Sequence, residues 1–251
     1  MRVLSWNLYH GRDFPAEPPG EHVDVNRPLL DEFATLLDGL DWDVALLQEA
    51  PPRWFRELQR RTRSTGARVL TSRNWWPWLQ RKLADWNPDL IKSSEGGSNQ
   101  LLVRAPDGIA EHRTVTLARL PERRRMQWAR LDSGVCVVNL HASAGRPWKA
   151  TAEVIRAAAL GVEWSGSDPL VFGGDLNLRP AATPGPFAEL RERFGLGEPT
   201  APNAIDHLLV RDLGVAERPR QLTPGERELP DVDGRLIRLS DHAPVVAEFV
   251  R

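Results

Sequence analysis

Short apolar runs separated by polar breaks recur along the 251-residue chain. Val3-Leu4, Val44 to Leu47, Leu101 to Val103, Val135 to Leu140, Leu170 to Phe172, Leu208 to Val210 and Val245 to Val250 are each too short for a buried helix. Several are rich in β-branched residues, so they predict strands. A different period holds at Leu29, Leu30, Phe33, Leu36, Leu37 and Leu40, whose spacing lays one apolar stripe on a helix. Ala150 to Trp164 is a second predicted helix, with Val154, Ile155, Ala158 and Val162 on one side; Phe187 to Phe194 is a shorter third. Strands and helices alternate early and strands dominate later, which predicts an α/β protein with mixed sheets rather than an all-β one. No internal repeat or low-complexity linker divides the chain, and residues 1–251 read as one domain. Ser64 to Ser94 is the least regular stretch. It carries Trp75, Trp76, Trp78 and Trp86 among Pro, Asn and Arg, and reads either as a surface insertion over a site or as Trp anchors packing a loop.

Composition narrows the class. Hydrophobic residues make up 41% and charged residues 27%, ordinary values for a globular protein. At this length a core forms without staples. The single Cys136 excludes an internal disulfide and points to a reducing compartment; inside Val135-Cys136-Val137-Val138 it reads as a small core residue. No stretch approaches the roughly 20 apolar residues of a membrane helix. Met1 to Asn7 turns polar too early for a secretory signal. The expectation is a cytoplasmic protein with no transmembrane segment and no obligate protein partner. The net charge of -1 supplies no global attraction for nucleic acid. Two local runs differ: Arg53 to Arg73 holds seven arginines and Arg119 to Arg130 holds five. The first reads as a solvated face.

The strands end in residues that bind metals or phosphates. The first ends at Asn7 and the second at Gln48-Glu49. Asn139 and His141 stand two apart, hence on one strand face, as do Asp175 and Asn177. Gly173-Gly174 beside them permits close backbone approach. Asp206-His207 opens one strand, and Ser240-Asp241-His242 precedes the last. Any one of these is ordinary turn chemistry. Together, carboxylates and amides at one sheet rim would form an oxygen-lined cleft suited to a hard cation such as Mg²⁺. One cysteine and no closely spaced histidine pair argue against tetrahedral zinc.

Six motifs occur in an order that resembles the endonuclease/exonuclease/phosphatase superfamily. They are Ser5-Trp6-Asn7, Leu47-Gln48-Glu49, Asn139-Leu140-His141, Gly174-Asp175-Leu176-Asn177, Ile205-Asp206-His207 and Ser240-Asp241-His242. The resemblance runs from Asn7 to His242. It implies a four-layer α/β/β/α sandwich of two packed mixed β-sheets, with the site at one edge of both. It also implies roles. Glu49 resembles the main Mg²⁺ ligand, supported by Asn7, with Asp241 as a further metal-side carboxylate. Asp175 and Asn177 resemble the pair that positions the water nucleophile. His242 resembles the catalytic histidine and Asp206 its orienting carboxylate. His141, with Asn139, would hydrogen-bond the phosphate. Asn99, in Gly97 to Leu102, and Arg124, with Arg125 behind it, are further phosphate-binding candidates; the run around Arg124 also reads as a solvated basic turn. His10, His22, His112 and His207 receive no role.

The expected activity is Mg²⁺-dependent hydrolysis of a phosphate ester, with Mn²⁺ able to substitute. The expected substrate is DNA or RNA, cut by a phosphodiesterase or endonuclease. His242 would either take a proton from water or stabilise charge as imidazolium. A phosphomonoesterase, a small-molecule or lipid phosphodiesterase, and a non-catalytic module on the same fold are the alternatives.

Overall fold

The computed structural model describes residues 1–14, 25, 27–71, 82, 96–230 and 234–251. The first sheet contains β1 (Arg2–Asn7), β2 (Val44–Ala50), β3 (Ser64–Leu70) and β4 (Ser98–Arg104). The second contains β5 (Ile109–Ala118), β6 (Arg124–Leu131), β7 (Cys136–His141), β8 (Leu170–Asp175) and β9 (Asp206–Arg211), in that spatial order. The chain then returns to the first sheet through β10 (Gly214–Gln221), forms a small ribbon of β11 (Glu228–Pro230) and β12 (Leu236–Arg238), and finishes in β13 (Val245–Val250). The first sheet is ordered β10-β13-β1-β2-β4-β3. Each large sheet has one parallel pair, β1 with β2 and β7 with β8, and is antiparallel elsewhere.

Helices cover the two outer faces. Helix α1 (Leu30–Gly39) and α2 (Phe55–Arg61) lie on the first sheet, where Phe33, Leu37 and Leu58 pack against Trp6, Ala45 and Leu102. Helix α3 (Pro147–Ser165) and α4 (Pro184–Phe194) cover the second, packing Val154, Ala158 and Phe187 against Val138 and Phe172. Cys136 is buried in that layer. A third apolar layer, including Val3, Leu46, Leu101, Val137, Val171 and Phe249, fills the space between the sheets. The order is therefore helix, sheet, sheet, helix, as the resemblance implied. Full burial of each such Leu or Phe contributes about 1.5–3 kcal/mol before the entropy of ordering it.

The stripe of Leu29 to Leu40 forms α1 nearly as spaced. Its C-terminal carbonyls would otherwise be left over. Arg104 satisfies them, donating to Leu37 O, Asp38 O and Leu40 O while its guanidinium stacks 3.9 Å from the Trp42 ring centroid.

Ser64 to Leu70 is not irregular: it is edge strand β3, paired in register with β4 from Ser64↔Arg104 to Leu70↔Ser98. Only one of its positions, Val69, is buried, so its apolar signal is weak. Trp75, Trp76, Trp78 and Trp86 lie outside the described residues. Three described arginines of the Arg53 run form surface pairs: Arg60 and Arg61 with Glu57, Arg61 also with Asp31, and Arg63 with Asp38.

Candidate active site

The site arises from strand alternation continued to one end of the sandwich. Val3, Ser5 and Asn7 share the inner face of β1; Val137, Asn139 and His141 share that of β7; Val171, Gly173 and Asp175 share that of β8. Register aligns His141, Asp175 and Asp206 side by side across β7, β8 and β9. The glycines let this happen at close range. A Cβ on Gly173 would come within 2.6 Å of Leu208, and Gly174 has φ +127 with no room beside the Leu140 carbonyl.

Glu49 needs a different device. Strict alternation from Leu46 and Gln48 would aim it away from the second sheet. A bulge intervenes: Leu47 pairs Gln100 and Ala50 pairs Ser98, so two residues of β2 oppose one of β4. Glu49 takes a left-handed backbone, φ 47. That conformation is uncommon for a non-glycine residue. Its carboxylate thereby enters the cleft, 3.7 Å from His141 Nδ1. Asn177 and Ser240 are left-handed as well, φ 51 and 65, so backbone strain collects around the cleft.

The centre is Asp175. Its Oδ2 accepts from Asn7 Nδ2 at 3.1 Å and lies 3.4 Å from His141 Nε2 and 3.9 Å from His242 Nε2. Its Oδ1 accepts from the Asn177 backbone N–H. His242 Nδ1 and Asp206 Oδ2 are 2.7 Å apart. Asp241 Oδ1 stands 3.8 Å from His242 Nε2. The turn carrying His242 is fastened to β1: Trp6 Nε1 donates to the His242 carbonyl, and Ser240 Oγ donates to the Asn7 carbonyl. These bonds account for Trp6 and Ser240 in their motifs. Arg124 Nη1 sits 2.9 Å from His141 Nδ1, and its Nη2 pairs with Glu122 at 2.8 Å. Asn7, Glu49, Arg124, His141, Asp175, Asn177, Asp206, Asp241 and His242 thus meet in one place.

The two remaining candidates are placed otherwise. Asn139 is buried between the sheets with its amide fully engaged. Nδ2 donates to Leu47 O and Gln100 O, and Oδ1 accepts from Gln48 Nε2. A second phosphate-binding use would break this network, so Asn139 is a cross-sheet tie. Asn99 is likewise buried and donates to the Arg125 carbonyl; its Oδ1 has no hydrogen-bond partner among the described residues. Asn139 lies one step short of His141 on the inner face of β7.

His10 was passed over in the sequence, yet its Nε2 lies 3.3 Å from Glu49 Oε2. It sits in the 3₁₀ turn Tyr9–Gly11, three residues past Asn7, with a left-handed backbone. Nothing in its spacing distinguishes it from a turn histidine. His207 is a structural residue, with Nε2 against Leu178 O and Nδ1 accepting from Thr200 N. His22 lies outside the described residues.

Electrostatics separate the two central histidines. Burial pushes the His242 ring towards neutrality, but Asp206, then Asp175 and Asp241, raise its pKa to about 10. Burial, with Arg124 and His242, holds His141 well below the usual histidine range. Burial, then Asp206, raises Asp175 to about 7. Burial also raises Glu49 and Asp241. Four carboxylates, three of them pushed towards protonation, are an oxygen-rich site short of positive charge. Those donors fit a divalent cation that prefers oxygen. Among the described residues, Asp175, Asp206 and His242 form a metal-capable grouping, with donor atoms within 4.8 Å of one another. It differs from the expected set of Glu49, Asn7 and Asp241. In the grouping one Asp206 oxygen is already taken by the imidazole, which makes Asp206 and His242 an orienting dyad first.

Comparison with known proteins bears on the family and the fold. The sequence model described as Endonuclease/Exonuclease/phosphatase family matches residues 4–242. No curated protein sequence matches the chain. Among solved structures, the Bacteroides thetaiotaomicron mannosyl-6-phosphatase Bt3783 is similar at TM-score 0.69 and 16% identity, covering 100% of both chains. The human nocturnin catalytic domain with bound sulfate gives 0.68 and 17%, covering 99% of this chain and 93% of that one. A humanized Danio rerio TDP2 gives 0.65 and 15%, covering 100% and 99%. At these identities the likeness is one of fold.

Proposed function

The chain belongs to the endonuclease/exonuclease/phosphatase family, and on that premise we propose that it is a Mg²⁺-dependent phosphodiesterase acting on nucleic acid. The observation that carries the reading is the surroundings of Asp175 Oδ2. One carboxylate oxygen is ringed by an amide and two imidazoles drawn from three motifs and both sheets.

The roles follow from the protonation states. With a pKa near 7, Asp175 is substantially ionised at neutral pH and able to accept a proton from an attacking water. Asn7 and the Asn177 N–H hold its two oxygens in place. His242, raised to about 10, is imidazolium at neutral pH. It serves as a fixed positive donor to the charge that builds on phosphorus-bound oxygen, not as the base. Asp206 sets its ring orientation. His141, held neutral, and Arg124 offer N–H groups to the same phosphate. Glu49, re-aimed by the bulge, together with Asn7 and Asp241 would hold the cation. When bound, Mg²⁺ or Mn²⁺ supplies Lewis-acid stabilisation of phosphate oxygens and of the leaving alkoxide.

Hydrolysis of bis-p-nitrophenyl phosphate tests the reading. Turnover should vanish in EDTA and return with Mg²⁺ or Mn²⁺; full turnover in EDTA contradicts the metal role. A panel of plasmid, abasic oligonucleotide, RNA, p-nitrophenyl phosphate and sphingomyelin then ranks substrates. A monoesterase is the second reading, favoured by the net charge of -1 and by the printed activity of the mannosyl-6-phosphatase. Faster cleavage of p-nitrophenyl phosphate than of every diester would select it.

A further inference from the structure

Beside the cleft lies a cavity of about 340 Å³ that the proposed chemistry does not use. Its walls are the β5–β6 turn, through Pro121, Glu122 and Arg124, and the segment from Ser143 through the first turn of α3, including Arg146 and Lys149. Three cations and one carboxylate, Glu122, line it; Glu122 is paired with Arg124, and Lys149 lies 3.8 Å from Glu153 behind the wall. Arg124 belongs to both spaces, since its Nη1 reaches His141. The cavity is thus the next position along any substrate whose phosphate rests at His141.

Two further features point to what occupies it. Arg146 is exposed, and its side chain makes no hydrogen bond or ion pair among the described residues. It stands at the N-cap of α3, the positive end of the helix dipole. Just outside the lining, next in the chain to Pro121 and Lys149, the large apolar side chains Leu120 and Trp148 stand exposed, each 72% accessible. The walls are tied together by a hydrogen bond from Lys149 Nζ to the Leu120 carbonyl. Unpaired guanidinium for phosphate and exposed indole for a base are the two elements of single-strand recognition.

We propose that this cavity is a nucleotide subsite. The phosphate next to the scissile one sits against Arg146 and Lys149, and the adjoining base stacks on Trp148. The subsite deepens the nucleic-acid reading and rests on it for the position of the scissile phosphate. It also explains how a chain with net charge -1 engages a polyanion: the positive field is local to the cleft rather than global.

Fluorescence anisotropy with fluorescein-labelled dT10, in EDTA so that no strand is cut, tests it. Arg146→Ala should weaken binding and flatten the slope of log Kd against log salt by about 0.7, one phosphate contact on a single strand. Trp148→Ala should weaken binding by about five-fold or more at an unchanged slope. Wild-type affinity and slope in both variants overturn the subsite, as does absence of dT10 binding by the parent. Bis-p-nitrophenyl phosphate, too short to reach Arg146, separates the two hypotheses. If it is hydrolysed while dT10 binding ignores both substitutions, the subsite fails and the phosphoesterase stands. If dT10 binds as expected and that ester is never cleaved, the phosphoesterase fails and the subsite stands.

Discussion

The space between the two sheets has two unlike ends. At one end the inner-face residues are Val3, Val44, Val103, Leu131, Val137, Val171 and Val210. Followed along the same strand faces, they become Asn7, Gln48, Asn99, Gln127, His141, Asp175 and Asp206. The apolar end stabilises by leaving water, and any well-fitting apolar side chain of similar volume serves. The polar end has to be satisfied bond by bond. Gln48 Nε2 reaches Asn139 Oδ1 at 2.9 Å, Asn139 reaches Leu47 O at 3.1 Å, and Asn7 reaches Asp175 at 3.1 Å, all across the gap between the sheets. Between apolar core and charged rim, a band of amides lets the low-dielectric interior continue up to the reacting groups. That is why Asp175 and His141 are pushed so far from their ordinary ionisation. One strand pattern thus builds both the stability and the chemistry, at opposite ends.

Substitutions should separate the ends. The largest effect on rate belongs to the rim: His242→Ala should lower kcat/KM by about 10²-fold or more in protein that still folds. Equal kcat/KM in the folded variant would remove His242 from the chemistry. The apolar end should show the reverse. Leu46→Ala empties a fully buried position and should cost about 2–5 kcal/mol of unfolding free energy, read by denaturant titration, with the rate per folded molecule kept. The amide band lies between them. Asn139→Ala takes one acceptor from Gln48 and the amide donor from two buried carbonyls, and should cost about 1–3 kcal/mol with a smaller loss of rate than His242→Ala; a loss as large as that of His242→Ala would return Asn139 to the phosphate. The smallest effect has a sign set by pH. Asp175 is raised from 3.8 to about 7 in the fold, so its contribution to stability is complete below pH 3.8 and lost as pH rises through about 7. In EDTA, Asp175→Asn should therefore melt a few degrees above the parent at pH 8 and lose that advantage near pH 4. A variant that melts lower at pH 8 contradicts the burial argument.

Much of this was legible in the sequence because it rides on strand alternation. Asp175 with Asn177, and Asn139 with His141, were visible as neighbours, and the helical stripe from Leu29 to Leu40 formed α1. The resemblance added what alternation cannot, the meeting of segments from Asn7 to His242. Four things were hidden. The bulge that turns Glu49 inward depends on the register of β2 against β4, which no single segment encodes. His10 reaches Glu49 through a left-handed turn that carries no pattern. Asn139 looked like a phosphate ligand because an amide at a strand end and an amide inside a sandwich have the same sequence signature; only the second sheet decides between them. Edge strand β3 escaped because only Val69 among its positions is buried.

The central claim is that the rim groups form one oxygen-rich cleft completed by a divalent cation. Crystals of the protein soaked with Mn²⁺ and measured at its absorption edge test it most directly. The expected result is an anomalous peak in the cleft bound to a Glu49 oxygen, lost in Glu49→Gln. A fully soaked crystal with no peak among Glu49, Asp175 and Asp241, or one whose peak survives Glu49→Gln unchanged, contradicts it.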